Sequence, residues 1–271
     1  MTKVEQNGPH LEQAQSLERL AIEAWPPRVR QPLGGWLMRA SNGISKRANS
    51  IWTGAPYPDV EGGWLSHAED FAERHGIAPC FYVSDTSPED LDAVLEKARY
   101  TFRDACFLMN GSAALIRKLS SGRLIEGEQP ETAWQQQVEV GTRSANPDWL
   151  EDFLELEGFP LEKGPGYAAI FNAAGPEKTF VRLRIAGETA AIGASVLQDG
   201  CAYVSSIAVA SKFRRRGLAF RLMAELSGWA VEHGARDMYL QVLQDNLPAV
   251  RLYEALEFKI LAQHHYRILN D

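Results

Sequence analysis

The sequence predicts a mixed α/β fold in which a mostly antiparallel sheet is flanked by helices. Apolar runs over 178–209 are separated by turn signals, one of which, Asp199-Gly200, is frequent in tight hairpins. A helical pattern follows over 218–233, and strand-like and helical patterns then alternate up to residue 269. Three antiparallel strands that lead into a strand–helix–strand–helix unit define this fold class.

The elements of the second half follow in chain order. Helical spacing of apolar residues over 148–159, just after Pro147, predicts the first helix. The further predictions are strands over 178–186, 188–198 and 201–209, a helix over 218–233 that ends at Gly234, a strand over 237–243, a helix near 249–256 and closing strands over 258–269. Residues 158–167 contain three glycines and two prolines, and we predict a shaped, mobile loop there.

The first half resembles the end of the second. FAERHGIAPCFYVS (71–84) can be aligned with WAVEHGARDMYLQV (229–242), so that His75-Gly76 falls on His233-Gly234. A helix over 88–98 and a strand from Tyr100 follow, and at this register Leu95 takes the place of Tyr253. The similarity is gapped, so chance likeness is the alternative explanation.

This similarity predicts two tandem copies of one fold, the first of them degenerate. The first domain covers 1–125 and the second 131–271, and the polar segment 121–131 marks the boundary. Before its helix the first half has the acidic stretch YPDVEGGWLSH, where the second half has a turn rich in arginine.

The composition excludes several classes of protein. With 271 residues, of which 45% are hydrophobic and 23% charged, the chain is typical of a globular protein. A formal charge of −7 argues against general affinity for nucleic acid. No apolar run is long enough to span a membrane, and the N-terminus lacks the apolar core of a secretory signal. The cysteines, Cys80, Cys106 and Cys201, are widely spaced, so we predict no metal site and a cytoplasmic location.

The densest positive charge lies where a predicted strand turns into a helix. The strand ends at Val209, and Arg214-Arg215-Arg216-Gly217 then precede the helix. Backbone N–H groups at a helix N-terminus bind anions, glycine allows close approach, and guanidinium groups add charged hydrogen bonds. We therefore predict a site for a diphosphate, the alternative being a solvated charge cluster.

With two motifs at this separation, the second half resembles the GNAT superfamily of acyl-CoA-dependent N-acetyltransferases. The family's pyrophosphate motif, Arg/Gln-x-x-Gly-x-Gly/Ala, is matched from Arg214 to Ala219, and Asn-x-x-Ala-x-x-x-Tyr is matched from Asn246 to Tyr253. Glu257 stands where the family usually has glycine before Phe258. The resemblance implies the GNAT fold and these cofactor-binding residues: Ile207, Ala208, Val209, Arg214, Arg215, Arg216, Gly217, Leu218, Ala219 and Asn246.

The resemblance also implies a reaction. Acetyl-CoA would lie with its pantetheine arm along Ile207–Val209, and a backbone N–H near Val209 would stabilise the oxyanion. A small amine or a peptide amine would attack directly, with Tyr253 as the general acid. A non-catalytic acyl-CoA-binding sensor or scaffold is the alternative function, and a pure interaction module is a third.

The general base stays unassigned at this stage. Ser205 and Ser206 occupy the strand where many relatives carry a carboxylate, but a hydroxyl cannot act as the base. Glu188 and Glu162 are the carboxylates considered. His264-His265 is more consistent with a surface or packing role than with a base or metal pair, because adjacent residues of a strand point to opposite faces.

Overall fold

The computed structural model describes residues 8–126, 136–142 and 144–269, and it divides the chain into two compact units. Unit 1 comprises 1–108, 242–246 and 260–271, and unit 2 comprises 109–241 and 247–259. The units interleave along the chain, whereas the predicted domains, 1–125 and 131–271, are consecutive. Which part is catalytic and which degenerate stays a prediction.

Unit 1 consists of a sheet with three helices of its own. Its strand order is β1-β2-β3-β4-β11-β5, and β3 is parallel to β4 while β11 is antiparallel to β4. The elements are α1 (Gly8–Ala24), β1 (Val29–Leu33), β2 (Trp36–Ala40), β3 (Ile51–Trp52), α2 (Trp64–Arg74), β4 (Cys80–Ser84), α3 (Leu91–Lys97), β5 (Thr101–Ser112) and β11 (Lys259–Ile268), of which the last two also contribute residues to unit 2.

Unit 2 contains the second series of elements. They are α4 (Ala113–Glu126), β6 (Gln136–Thr142), α5 (Pro147–Glu157), α6 (Gly164–Ala173), β7 (Lys178–Ile185), β8 (Glu188–Gln198), β9 (Cys201–Val209), α7 (Leu218–Glu232), β10 (Asp237–Leu243) and α8 (Leu247–Ala255). Strands β6 to β9 are antiparallel in chain order, and β10 is parallel to β9. This arrangement confirms the predicted fold class.

Two local predictions were wrong. The segment 158–167 is not a loop, because a 3-10 turn covers Leu161–Lys163 and α6 begins at Gly164. Pro165 suits the first turn of a helix, and Tyr167 and Phe171 then pack on Phe153 at helical spacing. The closing strands are a single strand, β11. Of the predicted boundary 121–131, the part up to Glu126 is helical and 127–131 lies outside the described residues, so the boundary stays a prediction.

Helices cover both faces of the sheet of unit 2. The register Phe180↔Ala194↔Ser205 places these three side chains on one face, and Trp149 of α5 contacts Phe180 with ring centroids 4.8 Å apart. On the other face, a Cβ added to Gly193 would lie 2.8 Å from Ile207 Cδ1 and 3.1 Å from Leu222 Cδ2 of α7. Thus α5 and α7 lie on opposite faces.

The same helix ending occurs twice at positions that the sequence alignment pairs. After α8, Phe258 N–H donates to Tyr253 O over 3.0 Å and Glu257 has a φ of 64°. After α3, Tyr100 N–H donates to Leu95 O over 3.0 Å and Arg99 has a φ of 67°. Both are left-handed C-terminal caps. The recurrence agrees with the register of the sequence alignment, and the duplication stays a prediction.

Replacement of Glu257 by glycine is expected to stabilise the protein by roughly 0.5–1 kcal/mol. Glycine removes the strain that a Cβ causes in a left-handed backbone, and this gain exceeds the stability lost because glycine gives the unfolded chain more conformational entropy. The lost ion pair with Lys259 is exposed and contributes little. Urea unfolding measures the change. Glu254→Gly, inside α8, is the control and should destabilise by about 1 kcal/mol. A less stable Glu257→Gly protein contradicts the prediction.

The adjacent histidines of β11 have different surroundings. His264 is buried and stacks on Tyr82 with ring centroids 4.4 Å apart, whereas His265 stacks on Phe102 and contacts Asp92 Oδ1 at 2.5 Å. Burial, together with the smaller effects of His265, Arg47 and Arg39, lowers the pKa of His264 to about 3. His264 is therefore neutral in the folded state near pH 7.

Acid is expected to destabilise unit 1 through His264. Its folded-state pKa lies below the unfolded value near 6.5, so the unfolded chain binds the extra proton, and stability falls as pH drops from 6.5 to about 3. Well inside this window the slope is about 1.4 kcal/mol per pH unit. We expect the free energy of unfolding, measured with urea between pH 5.5 and 4, to fall less steeply with decreasing pH in His264→Phe than in the wild type. The two slopes should differ by that amount. Equal slopes would show that the histidine does not titrate this way.

Candidate functional site

Strands β9 and β10 form a fork. Their parallel register runs from Asp237↔Cys201 to Tyr239↔Tyr203, while β9 continues to Val209. On its other edge β9 stays paired with β8 as far as Val209↔Ala191. Beyond Tyr203 the β10-facing edge of β9 therefore leaves the ladder, as the sequence-based interpretation of a splayed strand requires.

A β-bulge interrupts the pairing of β9 with β8 in the part of β9 that has separated from β10. The register between β8 and β9 shifts between Ile192 and Ala194, and Ser206 has a left-handed φ of 56°. The Ser206 hydroxyl is buried and has no hydrogen-bond partner among the described residues. Such a bulge redirects the groups that follow it. Here it precedes Ile207, Ala208 and Val209, which are half-buried.

The arginine-rich turn leads from the fork into α7. Arg215 and Gly217 have positive φ values of 63° and 76°, and a Cβ added to Gly217 would meet nothing within 4 Å. The first bond of α7 runs from Arg221 N–H to Gly217 O, 3.1 Å. The N–H groups of Leu218 and Ala219 precede it and have no acceptor within the helix. They carry the partial positive charge of a helix N-terminus.

The side chains of this turn are exposed and cationic. Arg214 donates from Nε to Val209 O over 3.2 Å, so one guanidinium is fixed beside the end of β9. The Arg216 guanidinium lies 5.6 Å from the centre of the Phe213 ring. Lys212 forms an ion pair with Glu188. Glu188, considered as a base, is thus held at the turn by a cation.

Tyr253 lies on α8 and is buried. Its ring packs edge-on against Phe258 at 5.7 Å, and 6% of the residue is exposed. Burial raises the pKa of Tyr253, and the nearby Glu157 and Tyr203 raise it further. The hydroxyl therefore keeps its proton across the neutral pH range. Tyr203 is the last residue of β9 that pairs with β10, and it donates to Gln241 Oε1 at 3.5 Å.

Nine of the ten predicted cofactor-binding residues lie in unit 2, as does Tyr253. Asn246 belongs to unit 1, where it is exposed, and its N–H donates to Leu243 O over 3.1 Å. The sequence analysis did not single out Glu157 or Tyr203. Glu157 had a usable signal, since it continues the apolar stripe of Trp149 and Phe153 at a spacing of four residues.

Unit 1 closes the corresponding end of its own parallel strand pair. Beyond Trp52↔Tyr82, the Thr53 hydroxyl donates to Tyr82 O over 2.7 Å and lies 2.6 Å from Ser87 Oγ. Ser87 Oγ in turn donates to Thr53 O over 3.0 Å. In unit 1, buried side chains therefore donate hydrogen bonds to backbone carbonyls at this end of the strand pair. The fork of unit 2 leaves the corresponding edge of the backbone unpaired.

Comparison with known proteins identifies relatives of the whole chain. Residues 144–258 match the Acetyltransferase (GNAT) family. The chain is 36% identical over 258 residues to the uncharacterized N-acetyltransferase YobR of Bacillus subtilis (strain 168), an alignment that covers 95% of this chain and 99% of YobR.

Solved structures share the fold. A GCN5-related N-acetyltransferase from Kribbella flavida superposes with a TM-score of 0.67 at 17% identity, covering 98% of this chain and 97% of that one. A tandem GNAT protein from the clavulanic acid biosynthesis pathway gives 0.55 at 14% identity, covering 76% and 68%.

A membrane-spanning helix and a metal-binding cluster are both absent from the residues that the structure describes. None of the helices is both long and apolar enough to cross a membrane. No group of three or more His, Cys, Asp or Glu side chains in the same part of the chain is arranged to hold a metal ion.

Proposed function

This chain belongs to the GNAT family of acetyltransferases, and from that premise we propose that it transfers an acetyl group from acetyl-CoA to a primary amine. The observation that carries the proposal is the fork between β9 and β10, which runs directly into the Arg214–Gly217 turn. Acetyl-CoA supplies the acetyl group as an activated thioester. The reaction is assigned to the predicted domain 131–271, and 1–125 is its degenerate copy.

The residues present fit this cosubstrate. The β10-facing backbone of Ile207–Val209 is available for pairing with the amide groups of a pantetheine arm. The N–H groups of Leu218 and Ala219, opened to solvent at Gly217, suit the diphosphate, and Arg214, Arg215 and Arg216 add positive charge. Asn246 would contact the cofactor from the segment before α8. The chain as a whole carries a formal charge of −7. A turn that concentrates three arginines at a helix N-terminus is therefore more consistent with a specific anion-binding site than with a solvated charge cluster.

The chain's own groups have distinct tasks in the reaction. A backbone N–H near Val209 donates to the oxygen on which negative charge develops. Tyr253, kept protonated by its burial, gives its hydroxyl proton to the departing sulfur as the carbon–sulfur bond breaks. Because burial makes Tyr253 a weak acid, this transfer must be concerted with bond cleavage.

The acceptor is a small amine or a peptide amine, and the acidic balance of the chain suits a cationic one. We propose a cytoplasmic location with no nucleic-acid or membrane partner. Support comes from the charge of −7 and from the three free thiols, of which Cys80 and Cys106 are buried.

Two measurements test the proposal. A thermal shift with acetyl-CoA should raise Tm, and CoA release over a panel of amines should identify at least one acceptor. Binding without turnover of any amine supports the sensor alternative. The absence of binding excludes both the enzyme and the sensor and leaves an interaction module.

A further inference from the structure

The proposed reaction requires a group that removes a proton from the amine, since an alkylammonium cannot attack the thioester until it loses one. We propose that Glu157, the last residue of α5, is this general base and that it draws a cationic amine to the fork. The inference rests on the proposed function and adds the group that selects and deprotonates the acceptor.

The first argument is the face of the sheet. The register Val196↔Tyr203 and Ala194↔Ser205 places Tyr203 and Ser205 on the face that also carries Phe180. Trp149 packs on Phe180 and donates from Nε1 to Val181 O over 3.0 Å, so α5 lies over this face. Tyr203 is also the last paired residue before the fork opens.

The second argument is the position of Glu157 on its helix. Trp149, Phe153 and Glu157 follow one another at a spacing of four residues, so the three share one stripe. The first two are buried against the sheet, whereas Glu157 is exposed at the helix end. It is therefore a solvent-accessible carboxylate at the end of the sheet-facing stripe.

The third argument is the relation to the proposed acid. Glu157 and Tyr203 both contribute to the raised pKa of Tyr253, after burial itself. The carboxylate and the fork residue therefore each lie within electrostatic range of the acid. Glu157 is the carboxylate that contributes most to the raised pKa of Tyr253.

Asp152, Glu188 and Glu162 are the other carboxylates compared with Glu157, which itself also interacts with described residues. Asp152 of α5 accepts from Arg182 Nη1 over 3.0 Å and from the Thr189 hydroxyl over 2.8 Å. Glu188 is held by Lys212. Glu162, the remaining carboxylate that the sequence suggested, is exposed in the 3-10 turn after α5.

A fourth argument comes from stability. A negative charge in the last turn of a helix is unfavourable, because the C-terminal end of the helix dipole is itself negative. Glu157 immediately precedes Gly158, whose left-handed φ of 70° ends α5. The helix dipole therefore does not explain why a carboxylate occupies this position.

The proton and bond changes balance. Glu157 accepts one proton from the ammonium, and the free amine attacks the thioester carbon. The carbon–nitrogen bond forms and the carbon–sulfur bond breaks while Tyr253 gives its proton to sulfur. The second proton of the nitrogen restores Tyr253, and Glu157 releases the first to solvent. The net products are the acetylated amine, CoA as a thiol and one proton.

The test compares Glu157→Gln with Glu155→Gln, which removes the same charge two residues away on the opposite side of α5. At pH 7, with the best amine of the panel, Glu157→Gln should lower kcat/KM on the order of tenfold or more, and the loss should shrink as pH approaches the pKa of the amine. Glu155→Gln should keep the wild-type profile. Both variants should raise Tm by about 1–3 °C, and Glu157→Asp should recover part of the activity.

Each outcome bears on a separate proposal. If Glu157→Gln folds, binds acetyl-CoA as the wild type does and keeps the wild-type kcat/KM and pH profile, Glu157 is not the base, although the acetyltransferase function stands. If both glutamine variants lose activity equally, the effect is one of general charge and the inference also fails. If the wild-type protein binds acetyl-CoA but acetylates no amine, the proposed function fails and the inference with it.

Discussion

Replacement of both Arg214 and Arg216 by glutamate is expected to weaken acetyl-CoA binding at least a hundredfold. In the proposed site each arginine supplies a charge-assisted hydrogen bond to the diphosphate. Such a bond is worth about 1.5–3 kcal/mol, and about 1.4 kcal/mol corresponds to a factor of ten. Two glutamates also repel the phosphates at the N-terminus of α7. Isothermal titration calorimetry with acetyl-CoA measures the loss. The Kd of the wild type should rise with salt, because the exposed guanidinium groups are screened.

The control must separate the site from overall charge. The double reversal changes the formal charge from −7 to −11, since each exchange of arginine for glutamate subtracts two. Lys97→Glu combined with Lys118→Glu makes the same change at exposed positions outside the turn. This control should bind acetyl-CoA within about threefold of the wild type, because neither lysine belongs to the turn or to α7 and salt screens exposed charges. If the arginine double variant binds acetyl-CoA with the same affinity as the wild type, the turn is not the diphosphate site.

Much of the fold of unit 2 follows from local sequence signals. Strands β7, β8 and β9 were predicted because turn residues such as Asp199-Gly200 separate runs of apolar residues. Helix α7 was predicted because it begins after Gly217 and ends before Gly234. Helix α6 was not predicted, because proline and glycine at its start suggested a loop. Its stability comes from aromatic packing on α5, which local propensity does not encode.

The division into units depends on long-range strand pairing. Strands β5 and β11 were placed correctly along the chain, but their partners were not predictable from local pattern. Strand β11 pairs with β4, 180 to 188 residues earlier, from His264↔Ser84 to Ile268↔Cys80. Periodicity shows which residues of a strand are buried and does not show which neighbour buries them. A boundary between consecutive domains is therefore what the sequence alone suggests.

The candidate site shows the same limit. The arginine turn and Tyr253 were predictable because motifs of contiguous or regularly spaced residues define them. The place of Glu157 on the stripe of Trp149 and Phe153 could be predicted, but its relation to Tyr253 could not, since that depends on how α5 packs on the sheet. The sequence showed that Glu257 stands where the family usually has glycine, but it did not show which backbone conformation Glu257 adopts. In the structure Glu257 has the left-handed conformation that favours glycine.

Tyr253→Phe is expected to lower kcat about a hundredfold, near the lower end for the loss of a general acid. The change removes only the hydroxyl, so the buried ring keeps its packing on Phe258, and the Kd for acetyl-CoA should stay within about twofold. Because the folded-state pKa of Tyr253 lies above its ordinary value of 10, the wild-type kcat profile should show no basic limb from this group below pH 10.

A matched variant separates the loss of a proton donor from the loss of a buried hydroxyl. Tyr266 is also buried, and its hydroxyl has no hydrogen-bond partner among the described residues, so Tyr266→Phe should leave kcat unchanged. If Tyr253→Phe turns over like Tyr266→Phe, another group protonates the sulfur and the assignment of Tyr253 is wrong. If kcat of the wild type rises with pH through 9–10 and this rise is absent from Tyr253→Phe, Tyr253 acts ionised, contrary to the effect of its burial.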